Sequence, residues 1–176
     1  MKRNLSLFAL SLAVLVATSA AVEAATVGTA NVTLAASANS MIQVLDPTLT
    51  LTPNGTDYDN DYVEAAGASG LRVQVKTNSS TGMQLVVRCA DAAPQIALAD
   101  LTVRTQTAGG TGGTSMGAYT SITAANQLLW STGVAQHPWQ MVTTDVRINN
   151  LINYNDAISA GTTNYTNTLT YTVVSQ

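Results

Sequence analysis

Cysteine is almost missing from this sequence: Cys89 stands alone among 176 residues. No disulfide can form within one chain, so the fold is held by its core or by assembly. Cys89 follows Val87 and Arg88 at the end of an alternating stretch. It reads as a small buried thiol, with an intermolecular bridge as the other use open to it. Charge is also scarce: Asp, Glu, Lys and Arg make up 10% of the chain, with 7 basic and 10 acidic residues and a formal net charge of −3. That balance argues against nucleic-acid or anionic-membrane binding, which needs a basic surface. Beyond residue 24 no apolar run is long enough to cross a bilayer as a helix. Helical periodicity over several turns is missing too, as is any internal repeat. Aromatic residues are 5% of the chain. They form no girdle of the kind that marks a membrane barrel.

What is present begins with an export signal. Met1-Lys2-Arg3 is a basic start, Leu5 to Val16 an apolar run, and Val22-Glu23-Ala24 offers small residues for cleavage after Ala24. This is the pattern of a secretory signal peptide over residues 1–24, leaving 25–176 as a single domain. The expected location is outside the cytoplasm: periplasm, cell surface or extracellular space. No cysteine lies at the cleavage position, so no lipid anchor is implied. Polarity comes from Thr, Asn, Ser and Gln, and Thr suits strands.

Alternation of apolar and polar residues dominates. Ala30, Val32 and Leu34 share one face of a first expected strand over residues 26–36. Met41 to Leu45 and Thr48 to Thr52 give a second strand region, bent at Pro47. The stretch from Pro53-Asn54-Gly55 to Gly70 reads as a turn and then a long loop. Leu71, Val73 and Val75, then Met83, Leu85 and Val87, alternate with polar residues around the turn-forming 77–82 segment. This reads as a β-hairpin whose apolar face centres the core. Further strands are expected around Ile96 to Val103, Leu128 to Trp130 and Gln140 to Leu151, with a Gly/Thr loop at 107–117. The chain ends on an alternating strand, with Tyr165, Leu169, Tyr171 and Val173 on one side and threonines on the other. Seven to nine short strands predict an all-β fold, an antiparallel immunoglobulin-like β-sandwich.

Candidate chemistry is thin. Gly113-Thr-Ser115-Met-Gly117 matches a nucleophile-elbow spacing, but a Gly/Thr loop precedes it and no acid lies between Ser115 and the single histidine, His137. No enzyme is expected. Asp57, Asp59 and Asp61 form the densest acidic cluster, and alternating oxygen ligands suit Ca²⁺. The EF-hand pattern fails there, because Tyr62 stands where glycine is required. A solvated acidic loop is the simpler reading, and no other cofactor is implied. Trp139 and Tyr119 are candidate ligand contacts for a sugar or surface polymer; Trp139 also reads as packing over the sandwich end.

Two segments carry a family resemblance. Ala160-Gly161, Tyr165 and Leu169-Thr-Tyr-Thr-Val173 resemble the close of spore coat protein U-like domains. Val75 to Gly82 followed by Met83-Gln-Leu-Val resembles the strand–turn–strand unit of such domains. That group includes subunits of archaic chaperone–usher pili, in which a strand from a neighbouring subunit completes an incomplete sandwich. This sequence departs from them in lacking a cysteine pair. The resemblance implies a coat, pilus or other cell-surface adhesion subunit that assembles with itself or with other subunits, with a periplasmic chaperone as a further partner. The donor would be the N-terminal segment carrying Ala30, Val32 and Leu34, and the acceptor the groove beside Leu169, Tyr171 and Val173. The competing expectation is a secreted, non-catalytic binding module for carbohydrate or surface polymer.

Overall fold

The computed structural model describes residues 32–34, 37–108, 113–154 and 164–176. Residues 1–31, including the expected signal peptide and Ala30, lie outside this set. The chain divides into two units, Met1–Ala35 and Ala36–Gln176. Of the first, only Val32 to Leu34 are described; they form no strand, and Val32 and Leu34 are exposed. The expected strand over 26–36 is thus not formed where it can be seen.

The described residues of the second unit form ten strands: β1 (Ser40–Val44), β2 (Tyr62–Ala65), β3 (Leu71–Thr77), β4 (Met83–Cys89), β5 (Leu101–Ala108), β6 (Gly113–Ser115), β7 (Thr120–Ser121), β8 (Gln127–Thr132), β9 (Gln136–Asn149) and β10 (Leu169–Ser175). One sheet has the order β1-β3-β9-β5-β7, and β2 also pairs with β9. The other has the order β10-β4-β8-β6. Every ladder among the described residues is antiparallel. The two sheets enclose one core, so the all-β sandwich expected from alternation is present.

The core sits where the alternation places it. Val73, Val75, Met83, Leu85 and Val87 are fully buried, and Leu129, Trp130 and Val142 join them. The connection between β3 and β4 differs from expectation. The two strands lie in different sheets, so Asn78–Gly82 is an arch across the sandwich rather than a hairpin turn. Alternation cannot separate these cases. Two strands whose apolar faces point at one another carry the same pattern as two strands side by side. The arch is held by hydroxyls: Ser79 N donates to Thr77 Oγ1 at 3.0 Å, and the Ser79 and Thr81 hydroxyls lie 2.9 Å apart. Gly82 closes it at φ 84°, and a Cβ there would stand 1.8 Å from the Thr132 carbonyl oxygen. Gly82→Ala should therefore cost about 3 kcal/mol, read as a lowered denaturant midpoint.

The long loop expected over 55–70 is structured. Asn54 caps α1 (Gly55–Asn60): its side chain accepts from Thr56 N and Asp57 N, and Asp57 accepts from Asn54 N at 2.8 Å. The Pro53-Asn54-Gly55 turn signal was a helix cap. A one-turn 3-10 segment, Gly67–Ser69, then links β2 to β3. Thr48 to Thr52, expected as strand, forms no ladder. Tyr165 lies before the last strand, which begins at Leu169.

Candidate functional site: an open edge of the sandwich

In β10, Ala90 N donates to Thr168 O at 2.8 Å and Gln176 N donates to Gly82 O at 3.1 Å. In an antiparallel ladder alternate residues bond to the same neighbour. Thr168, Thr170, Thr172, Val174 and Gln176 therefore spend their backbone groups on the β4 side. The N–H and C=O groups of Leu169, Tyr171, Val173 and Ser175 point the other way. Among the described residues no strand pairs there, and β10 ends its sheet. The side chains of Leu169, Tyr171 and Val173 pack against the core. The three residues expected to matter in assembly thus combine a core-facing side chain with an unused ladder edge.

Across from β10 lies β1, the edge of the other sheet, which among the described residues pairs only with β3. At their upper ends the two edges meet, and the Ser40 and Ser175 hydroxyls lie 2.7 Å apart. Below this they diverge. Between them opens a groove of about 870 Å³. Leu49, Leu51, Tyr165, Leu169 and Tyr171 are among the residues that line it. Its floor reaches core residues of the first sheet, among them Leu71, Leu101, Val146 and Ile148. Tyr58 of α1 borders its lower mouth.

The Tyr165 side is fastened before β10 begins. Ile96 N donates to Asn167 Oδ1 at 2.9 Å and Asn167 Nδ2 donates to Ile96 O at 2.7 Å. Thr166 N donates to Gln95 Oε1, and Thr168 N to Asp91 Oδ2. The Thr168 amide, with weaker help from the Cys89 thiol, holds the Asp91 carboxyl below its ordinary range. Tyr165 packs edge-on against Tyr154 with ring centroids 5.1 Å apart. The Tyr154 hydroxyl donates to Asp100 Oδ2 at 2.6 Å and accepts from Ala97 N. Burial, and then the Asp100 carboxylate, push the Tyr154 hydroxyl up to about 12. Deeper in, burial pushes Tyr171 up to about 12. The Thr144 hydroxyl, which faces it, offsets part of that rise.

The other expected site residues lie elsewhere. Tyr119 is locked on the outer face of the first sheet. Its hydroxyl donates to Glu64 Oε2 at 2.9 Å, and Arg104 and Arg147 lie over its ring at 4.5 and 4.1 Å. Arg147 also covers the Tyr62 ring at 4.3 Å and bonds Glu64 at 2.7 Å. Arg104 pairs with the fully buried Asp145 at 2.8 Å, and Asp145 accepts from Gly67 N. Trp139 sits at the other end of β9 with Lys76 Nζ 4.5 Å from its ring centre. The two aromatics expected to share a ligand surface are therefore not brought together, and each is covered by a cation. Asp57, Asp59 and Asp61 lie on or just beyond a six-residue helix. Asp57 serves the helix cap, and Asp61 lies past the helix end with φ 59°. No group of three acids, histidines or cysteines among the described residues could hold a metal ion. Ser115 lies in the exposed strand β6, without the following helix that an elbow needs. Cys89 is buried and unpaired.

Partial burial works against the charge on Glu64, but hydrogen bonds from Arg147 and Tyr119 outweigh it and lower its pKa from 4.5. A lowered acid stabilises the fold above its unfolded pKa and loses that contribution as pH falls through the folded value. Stability should thus decline as pH drops below about 4.5. Glu64→Gln should flatten part of that decline, read from melting temperatures across pH 3–7.

Alternation marks Leu169, Tyr171 and Val173 as one core-facing set but gives no sign of the rest of the groove lining. Leu49 and Leu51 read as ladder residues in the sequence, and Tyr154 falls in a stretch that reads as loop. These features define the class: a two-sheet antiparallel β-sandwich in which the β10 edge, unpaired among the described residues, borders an apolar groove. Comparison with protein-family models, curated proteins and solved structures finds no match.

Proposed function

We propose that this protein is an exported surface, pilus or coat subunit that assembles by strand addition, the N-terminal segment of one copy filling the groove of another. The observation that carries this reading is the groove of about 870 Å³ beside a strand whose outward ladder is unused among the described residues. Such an edge is a template for another strand. Backbone bonds to Leu169, Tyr171 and Val173 would supply affinity. Alternate side chains entering the groove would supply register.

The occupant is argued from the same chain. Residues 25–36 carry no charged side chain, and Ala30, Val32 and Leu34 repeat at the spacing that sends them to one face of a strand. Val32 and Leu34 are 95% and 87% exposed and belong to no ladder. Burying Val and Leu side chains of this kind is worth roughly 1.5–3 kcal/mol each.

Chain beginning at Ala25 should give heat-labile ladders on an unboiled denaturing gel and filaments by electron microscopy. Chain beginning at Ser37 should run as a monomer. Ladders that persist without residues 25–36 would contradict the proposal, as would a monomer at all concentrations from the longer chain.

A further inference from the structure

Resting on the strand-addition reading, we infer that assembled copies share a second contact: the upper end of the donating copy, around Lys76 and Trp139, docks on helix α1 at the lower mouth of the accepting groove. The argument begins with how little chain separates the donated segment from the sandwich. Asn78 pins its root. Asn78 Nδ2 donates to Ser37 O at 3.0 Å, Asn39 N donates to Asn78 Oδ1 at 2.6 Å, and Asn78 N donates to Asn39 O at 3.1 Å. Only Ala35 and Ala36 lie between Leu34 and this pinned root. Three steps of extended chain reach about 10 Å. When Leu34 occupies a groove, the donor's Ser37 must stand within about that distance of it, so the two sandwiches touch.

Two features choose the mouth. The Ser40–Ser175 contact bridges the two edges at the upper end of the groove. A strand antiparallel to β10, the sense of every ladder here, runs downward and leaves by the lower mouth. There it meets α1, with Asp57, Asp59 and Asp61. The donor's upper end offers the opposite sign. Beside the pinned root is a small hollow lined by Met41, Lys76 and His137. Lys76 is steadied over Trp139 and has no carboxylate partner among the described residues. Leaving by the upper mouth would instead set one Lys76 patch against another. The contact is heterologous, so copies add head to tail without closing.

The test compares chains beginning at Ala25: unsubstituted, Lys76→Glu, Asp59→Lys, and the two together. Asp59 is used because Asp57 serves the helix cap. Multimer lifetime after dilution is measured at low and high salt, and binding of a synthetic peptide of residues 25–36 to Ser37-start chain is measured for each variant. Each single substitution should shorten the lifetime about tenfold at low salt. The double substitution should restore it, high salt should narrow the differences, and peptide binding should stay constant throughout. Unchanged lifetimes in the single variants, with normal peptide binding, would overturn the second contact and leave strand addition standing. A peptide that fails to bind unsubstituted chain would overturn strand addition and this contact with it.

Discussion

Val173→Pro is expected to abolish multimers while leaving a folded monomer. The amide of Val173 points away from β4, so proline removes no bond of the protein's own ladder. It removes the donor that an added strand would use and puts a ring in its path. The monomer should lose about 1–2 kcal/mol through backbone adjustment and altered packing. Thr172→Pro is the control. Its amide belongs to the β4 side, opposite Val86. That substitution should break the protein's own sheet and cost about 3 kcal/mol or more. Adjacent prolines with opposite consequences are a signature that neither general destabilisation nor a side-chain effect reproduces. Analytical ultracentrifugation and denaturant unfolding read the two quantities separately.

Trp130→Ala should be the most destabilising single truncation. Trp130 is the largest fully buried side chain, and Gly113 is packed so close that a Cβ there would lie 2.4 Å from its Nε1. Removing an indole from such a site costs about 3–5 kcal/mol. β6 and β8 meet through this contact, so protection of β6 amides should fall first. A melting curve within a degree or two of the unsubstituted protein would show that the core is not centred on Trp130.

These residues also show what the sequence could and could not disclose. Strict alternation marked Leu71 to Cys89 and Leu169 to Ser175 as strands and chose their buried faces correctly, because side-chain direction has a period of two. It could not say which strands are neighbours. The β3–β4 arch has the same pattern as a hairpin, and only Gly82 and the hydroxyl-lined turn decide between them. Trp130 was seen as part of a short buried strand, but Leu129 and Trp130 are both buried because the β4–β8 ladder shifts register there. No alternation survives such a bulge. The acidic stretch around Asp59 was read as loop because a six-residue helix is too short to show a period; its Asn54 cap was the only local sign. The groove was legible on one side alone. Leu169, Tyr171 and Val173 announce a core-facing strand, but an unused edge is a property of what fails to pair. The Thr48–Thr52 segment, written like a strand, reveals its unpaired state only in three dimensions.

Strand addition to β10 is tested most directly by amide hydrogen exchange on chain beginning at Ser37, with and without a peptide of residues 25–36. Without peptide, the amides of Thr170, Thr172 and Val174 should be protected, and those of Leu169, Tyr171 and Val173 should exchange freely. With peptide, the second set should become protected as well. Leu169, Tyr171 and Val173 amides that exchange equally fast in saturating peptide, or that are already protected without it, would contradict the open edge that the proposed assembly needs.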